Sequence, residues 1–271
     1  MSIIGGIKFF DASKCLFKNG ASAVASSASD SANFILSTNK YIRWDSVESD
    51  DATTETITIT FDSAQINRLF LVDHNFKSYT ITYGSTPTNF TNVTGLTGSV
   101  SGIAETDYNL DTSYYEFDSV TTTQINISVT TTQVADAQKY LNIFVVTKEV
   151  GTFEGYPNVT PSLNSNEKTS KTVTGKYVTQ KNFEIFSCDI SLEHTSQNDI
   201  DIINSVYEEQ SPFLIWLCGG KYGLSNFSVA LKNWRLKDLY QVQISGEIET
   251  IFRNNIYTSS PILSFSVAEE V

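Results

Sequence analysis

The chain is poor in the residues that carry most enzyme chemistry. Of its 271 residues two are histidine, three cysteine, five proline and one methionine. Cys15, Cys188 and Cys218 are far apart, odd in number and without a C-x-x-C pair. Neither a disulfide framework nor a cysteine zinc site fits that count, which reads as buried reduced thiols. Lys and Arg number 18 against 30 Asp and Glu, a formal charge of −12, and the pI is near 4.6. No basic run offers a phosphate backbone its counter-charge, so a nucleic-acid partner is not expected. No apolar run approaches the roughly 18–20 residues of a membrane helix. The opening "MSIIGGIKFFDASK" holds too short an apolar stretch for a secretory signal. Synthesis and folding in a reducing cytoplasm are therefore expected, and the five N-x-S/T matches (Asn89, Asn92, Asn126, Asn158, Asn226) read as chance in an Asn- and Thr-rich chain.

What is present points to strands. Thirteen Tyr and seventeen Phe accompany many Thr, Ser, Val and Ile, residues that suit a pleated, half-buried surface. Residues 1–45 read as a loop-heavy lead-in or one short helix, with "NGASAVASSASDSANF" too small and polar for a packed strand. "TITITF" alternates, putting Ile57, Ile59 and Phe61 on one face. "NRLFLVDHN" is dense enough to be covered on both faces. "SYTITYGS" alternates again through Tyr79, Ile81 and Tyr83. Residues 86–112 read as loop with one weak strand, and "SYYEFDSV", "TQINISVTT" and "QKYLNIFVVTKE" as three further strands. "GTFEGYPNVTPSLNSNEKTSK", residues 151–171, has the Gly, Pro and polar content of a linker. Beyond it come a strand, "NFEIFSCDISLE", and one helix over 196–210. Ser196 caps that helix, with Asp199 at the capping-box distance, and Pro212 stops it. "FLIWLCGG", "FSVALKNW" and "YQVQISGEIETIF" follow as strands. The expected class is mainly β: a jelly-roll-like sandwich over 1–150 and a β-barrel or sandwich with one helix over 172–271.

Groups that could act chemically do not assemble. His74 and His194 fall in different halves of the chain, and no G-x-S-x-G elbow or other nucleophile signal accompanies either. "GLTGSVSG" does not join a strand to a helix, so it is no phosphate loop. Asp45, Glu48, Asp50, Asp51 and Glu55 could gather around Ca²⁺, but without EF-hand spacing a solvated acidic loop is the better reading. No catalytic residue, cofactor or metal ligand is assigned, and the chain is not expected to be an enzyme. A pair of carboxylates for glycoside hydrolysis has nothing to mark it. Aromatic residues are the remaining handle. Tyr41, Tyr114 and Tyr115 could lay a flat face on a sugar ring, while Trp44 reads as core. Phe213 and Trp216, in "FLIWLC", read as core or as a subunit interface.

Two resemblances add to this. Over roughly residues 30–149 the segments "STNKYIRWDS", "ITITFDSAQINRLFLVD", "KSYTITYGS" and "QINISVTT…YLNIFVVTKE" resemble, in order, the galactose-binding-like β-sandwich of discoidin and coagulation-factor C-type domains. Over about 172–257, "FSCDISLEHTSQNDIDIINSVYEEQSPFLIWLCGG" and the strands after it resemble bacteriophage distal-tail and minor-tail proteins, which close into rings around the tail channel. Together they imply a virion component at the tail tip. Its implied partners are further copies of itself in a ring, other tail proteins and host-surface glycan. The alternative is a stand-alone carbohydrate-binding module or lectin.

Overall fold

The structure, a computed structural model, describes residues 7–11, 20–37, 41–84, 90–92, 103–105, 107–153, 157–171, 174–192, 196–208, 213–216, 239–244 and 262–270. In chain order it holds β1 (Ile7–Phe10), β2 (Ser22–Ala25), α1 (Ser29–Ala32) running into a 3₁₀ turn (Asn33–Leu36), β3 (Trp44–Asp45) and β4 (Glu55–His74). Then come β5 (Phe76–Gly84), β6 (Phe90–Asn92), β7 (Ile103–Glu105), β8 (Thr112–Thr132), β9 (Tyr140–Thr147) and β10 (Glu149–Phe153). Last are β11 (Pro157–Lys171), β12 (Tyr177–Leu192), α2 (Gln197–Glu208), β13 (Phe213–Trp216), β14 (Leu239–Ile244) and β15 (Ile262–Glu270).

Two long strands build the sandwich. β4 and β8 pair along their lengths, and their register shifts between Thr60 and Ala64. The first half of β4 lies beside β2, and the second half of β8 lies beside β5. The second half of β4 pairs instead with β9. Each long strand thus passes from one layer to the other across the irregularity, as bulged strands do at sheet corners. Between the layers Ile57, Ile59, Ile81, Ile125 and Ile127 meet Leu69, Leu71, Phe144 and Val146. The alternation of "TITITF" and "SYTITYGS" forms this core as expected.

The dense run of β4 is covered on both faces. Leu69 and Leu71 enter the sandwich core, whereas Phe70 and Val72 point outward with Ile143 and Val145 of β9. That outer face is closed by Phe10, Leu214, Trp216 and Leu239 from a second, seven-stranded sheet of order β10-β1-β13-β14-β15-β12-β11. All its pairings are antiparallel.

Several boundaries differ from the sequence reading. The small-residue lead-in contains the short helix α1 but also β2, where Ala23 and Ala25 alternate into the sandwich core. β1 joins the C-terminal strands, with Lys8 opposite Trp216 and Phe9 opposite Ile215. Residues 151–171, expected as linker, lie largely in β10 and β11, and β11 pairs with β12 from Pro157–Leu192 to Lys171–Tyr177. Polar composition reads as loop, but the backbone of a hairpin satisfies itself whatever its side chains. The strand expected at "FSVALKNW" lies outside the described residues, and β15 was not foreseen. Helix α2 starts as expected: Asp199 N–H donates to Ser196 Oγ at 3.1 Å, and Ser196 N–H donates to Asp199 Oδ2 at 2.8 Å.

Candidate functional site

At one end of the sandwich an open pocket of about 450 Å³ lies among Phe34, Tyr41, Ile42, Arg43, Asp45, Asp73 and Asn142. Four segments meet there: the 3₁₀ turn, the approach to β3, the end of β4 and the start of β9. Period-two alternation explains the approach. Trp44 turns inward, fully buried, and its Nε1 donates to the Ser27 carbonyl at 3.1 Å. Arg43 and Asp45 therefore turn outward together. Arg43 Nε donates to Asp45 Oδ2 at 3.2 Å, and Nη2 lies 3.0 Å from Oδ1, a two-pronged fork. The guanidinium also lies 4.0 Å from the centre of the Tyr140 ring, so ion pair and cation–π contact hold one orientation.

Asp73 has φ of 56°, a left-handed conformation that asparagine and aspartate enter more readily than other side-chain-bearing residues. Val72 faces Ile143 and His74 faces Leu141 across the ladder, which sets Asp73 beside Asn142. Asn142 Nδ2 donates to Asp73 Oδ2 at 3.3 Å. The rim is aromatic: Tyr41 is 86% exposed and Phe34 42%.

The segment after β3 is pinned to the 133–140 stretch. Ser46 N–H donates to the Lys139 carbonyl at 2.8 Å, and Lys139 N–H donates to Ser46 Oγ at 3.0 Å. Asp51 Oδ1 accepts from Thr132 N and Oγ1 at 2.9 and 3.0 Å. Lys139 is fully buried and its ammonium donates to the Asp50 carbonyl at 2.5 Å. The acidic loop is thus not simply solvated, because a lysine from the adjoining stretch supplies it with a cation. The backbone N–H of Thr53 holds the Asp50 carboxyl below its ordinary value, offset in part by desolvation and aided by Lys139. Burial pushes the Asp51 carboxyl up, and the hydrogen bonds from Thr132 and Asp136 outweigh it to hold that group low as well. Among the described residues no cluster of three or more His, Cys, Asp or Glu could hold a metal ion.

The aromatic residues singled out in the sequence separate. Tyr41 lies on the pocket rim. Tyr115 is buried, its hydroxyl against that of Tyr79, and so cannot meet a sugar. Tyr114 lies between the two sheets, its ring 4.6 Å from Phe70 and 4.2 Å from Trp216, and its hydroxyl donates to Glu116 at 2.7 Å. Trp216 is fully buried within its own chain, so its ring is not available to a second copy. Phe213 is placed by its backbone alone, opposite Val242. Arg43, Asp73, Asn142 and Phe34 were not singled out. The "YIRWD" alternation was the available signal for Arg43; nothing in the sequence links residues 73 and 142.

His74 is structural in its contacts. Its Nδ1 accepts from the Phe76 N–H at 3.1 Å, which leaves Nε2 to carry the proton and donate to Ser113 Oγ at 2.8 Å. A histidine activating a serine needs the opposite arrangement, with Nε2 free to accept. The pair is buried with Tyr79, whose hydroxyl donates to the same Ser113 oxygen at 3.1 Å. His194 lies outside the described residues.

No protein-family pattern matches the sequence, and no curated protein does either. Among solved structures the chain is similar to a chitosan-binding module of a chitosanase/glucanase from Paenibacillus sp. IK-5, at 21% identity over 49% of this chain and 98% of that one, with a TM-score of 0.41. A Clostridium perfringens domain in complex with GalNAc-β-1,3-galactose matches at 16% identity over 49% and 98%, TM-score 0.38. A pectin-binding carbohydrate-binding module matches at 15% over 46% and 88%, TM-score 0.36.

Proposed function

We propose that the chain is a non-catalytic carbohydrate-binding protein whose sugar site is the pocket beside Tyr41. One observation carries this reading: a highly exposed tyrosine ring stands at an open pocket whose lining includes a guanidinium held by Asp45 and Tyr140, two carboxylates and a buried amide. An aromatic face suits the apolar C–H side of a sugar ring, and convergent planar donors and acceptors suit its hydroxyls. The reading as a tail ring gains no comparable support. Leu214, Ile215 and Trp216, central to the segment given that role, are buried inside the chain.

The test is a glycan array probed with the whole chain, followed by titration of each hit. Tyr41→Ala and Arg43→Ala are expected to weaken a hit at least tenfold. Tyr177→Ala, which removes another highly exposed tyrosine at the start of β12, is expected to leave it unchanged. An array without hits at high protein concentration, or hits indifferent to Tyr41, would overturn the proposal.

A further inference from the structure

We infer that the pocket selects a glycan bearing a protonated amine, with the Asp73 carboxylate as its counter-charge. The inference rests on the carbohydrate-binding reading and narrows it. Among the described residues three charged ones line the pocket: Arg43, Asp45 and Asp73. Arg43 and Asp45 cancel, since the fork between them is filled on both prongs and the guanidinium is also engaged by Tyr140. Asp73 is left as the uncompensated charge. Its carboxylate accepts a neutral amide hydrogen bond from Asn142, and among the described residues no basic side chain pairs with it. The chain's formal charge of −12 adds a field of the same sign.

That balance disfavours uronic or sialic acids, which would bring a second carboxylate to the pocket, and favours a cation. A bare divalent ion is a poor fit, because hard cations of this kind take six or more oxygen ligands. A sugar ammonium needs only a few acceptors and leaves its ring for the exposed Tyr41 face. The left-handed backbone at Asp73 also makes the test clean. Asparagine tolerates that conformation as aspartate does, so Asp73→Asn removes the charge and keeps the shape.

Calorimetric titration compares glucosamine oligomers, their N-acetylated counterparts and oligogalacturonate, at a pH below the amine's own titration. The glucosamine oligomer is expected to bind about tenfold tighter than the acetylated one, the scale of a hydrogen bond to a charged group. Asp73→Asn is expected to remove that difference, and added salt to shrink it. The inference is overturned if the acetylated or acidic oligomer binds as well, or if Asp73→Asn leaves the preference intact. In those cases the carbohydrate reading survives where binding still depends on Tyr41. Should no oligomer bind and the array also be blank, both fall. If Asp73→Asn does not fold, the wild-type comparison of amine against acetylated amine still decides.

Discussion

Lys139 is fully buried, and its ammonium donates to a backbone carbonyl of the acidic loop, that of Asp50. Its charge adds a smaller pull to the hydrogen bonds that hold the two carboxyls low, from Thr53 at Asp50 and from Thr132 and Asp136 at Asp51. Lys139→Met should lower stability by about 1–3 kcal/mol through the orphaned carbonyl, read as a shift in the denaturation midpoint with the slope unchanged. Acid should act on the same loop. Both carboxyls titrate lower in the fold than their ordinary value of 3.8. Their contribution is therefore complete above that value and is lost as pH falls through the lower, folded one. Melting temperature followed below about pH 4 should drop less in Lys139→Met than in the wild type. The acids were visible in the sequence, and their cation was not. It comes from a lysine some ninety positions away, set beside them only by the β3–β9 pairing. For the same reason Asp73 and Asn142 gave no warning of a shared pocket, while Arg43 was within reach through its alternation with Trp44.

At the scale of elements, helix α2 shows what local pattern can and cannot reveal. Its capping box was legible because all its parts lie within four residues. Ser196→Ala should cost about 1 kcal/mol, measured by chemical denaturation. What α2 packs on was not legible. A Cβ built at Gly151 of β10 would overlap Cδ1 and Cγ1 of Ile202, so this glycine, read as linker punctuation, is there for a close approach. Gly151→Ala should destabilise by about 1–3 kcal/mol, as overpacking does. Ile202→Ala in the same chain should return part of that loss. If the double variant is simply the sum of the two singles, the contact is not the cause. Strand alternation was equally readable in β4 and β5, where one face meets one core. It failed for β11, whose polar sequence advertises a turn while its partner supplies a full ladder.

Across the whole molecule, four charges tie the two sheets together. Lys8 of β1 lies 3.0 Å from Glu116 and 3.4 Å from Glu149, and Arg68 reaches both acids. Burial pushes the Glu116 carboxyl up, and the Lys8 charge with the Tyr114 hydroxyl brings it below its ordinary value. Burial beside that carboxylate drives the Tyr114 hydroxyl the other way, well above 10.0. Glu116→Gln leaves Lys8 and Arg68 short of a partner, and should cost about 3 kcal/mol. Because β1 and β10 lie in the second sheet while Arg68 and Glu116 lie in the sandwich, calorimetry should record one unfolding transition. Two separate transitions would mean that the sheets fold apart. This coupling escaped the sequence reading, since a domain boundary drawn from composition takes no account of a first strand that crosses it.

That first strand sets a timetable for synthesis. The ribosome releases β1 before anything else in the described fold, yet its partner β13 is among the last strands to emerge. The sandwich core is complete once β9 has been made, so Phe70, Val72, Ile143 and Val145 then stand on an uncovered sheet face. Closing contacts of such long sequence separation is slow, and exposed apolar sheet invites association with other nascent chains. The growing chain therefore passes through a sticky interval between the completion of β9 and the arrival of Leu214 and Trp216. Chaperone occupancy on stalled ribosomes should peak there.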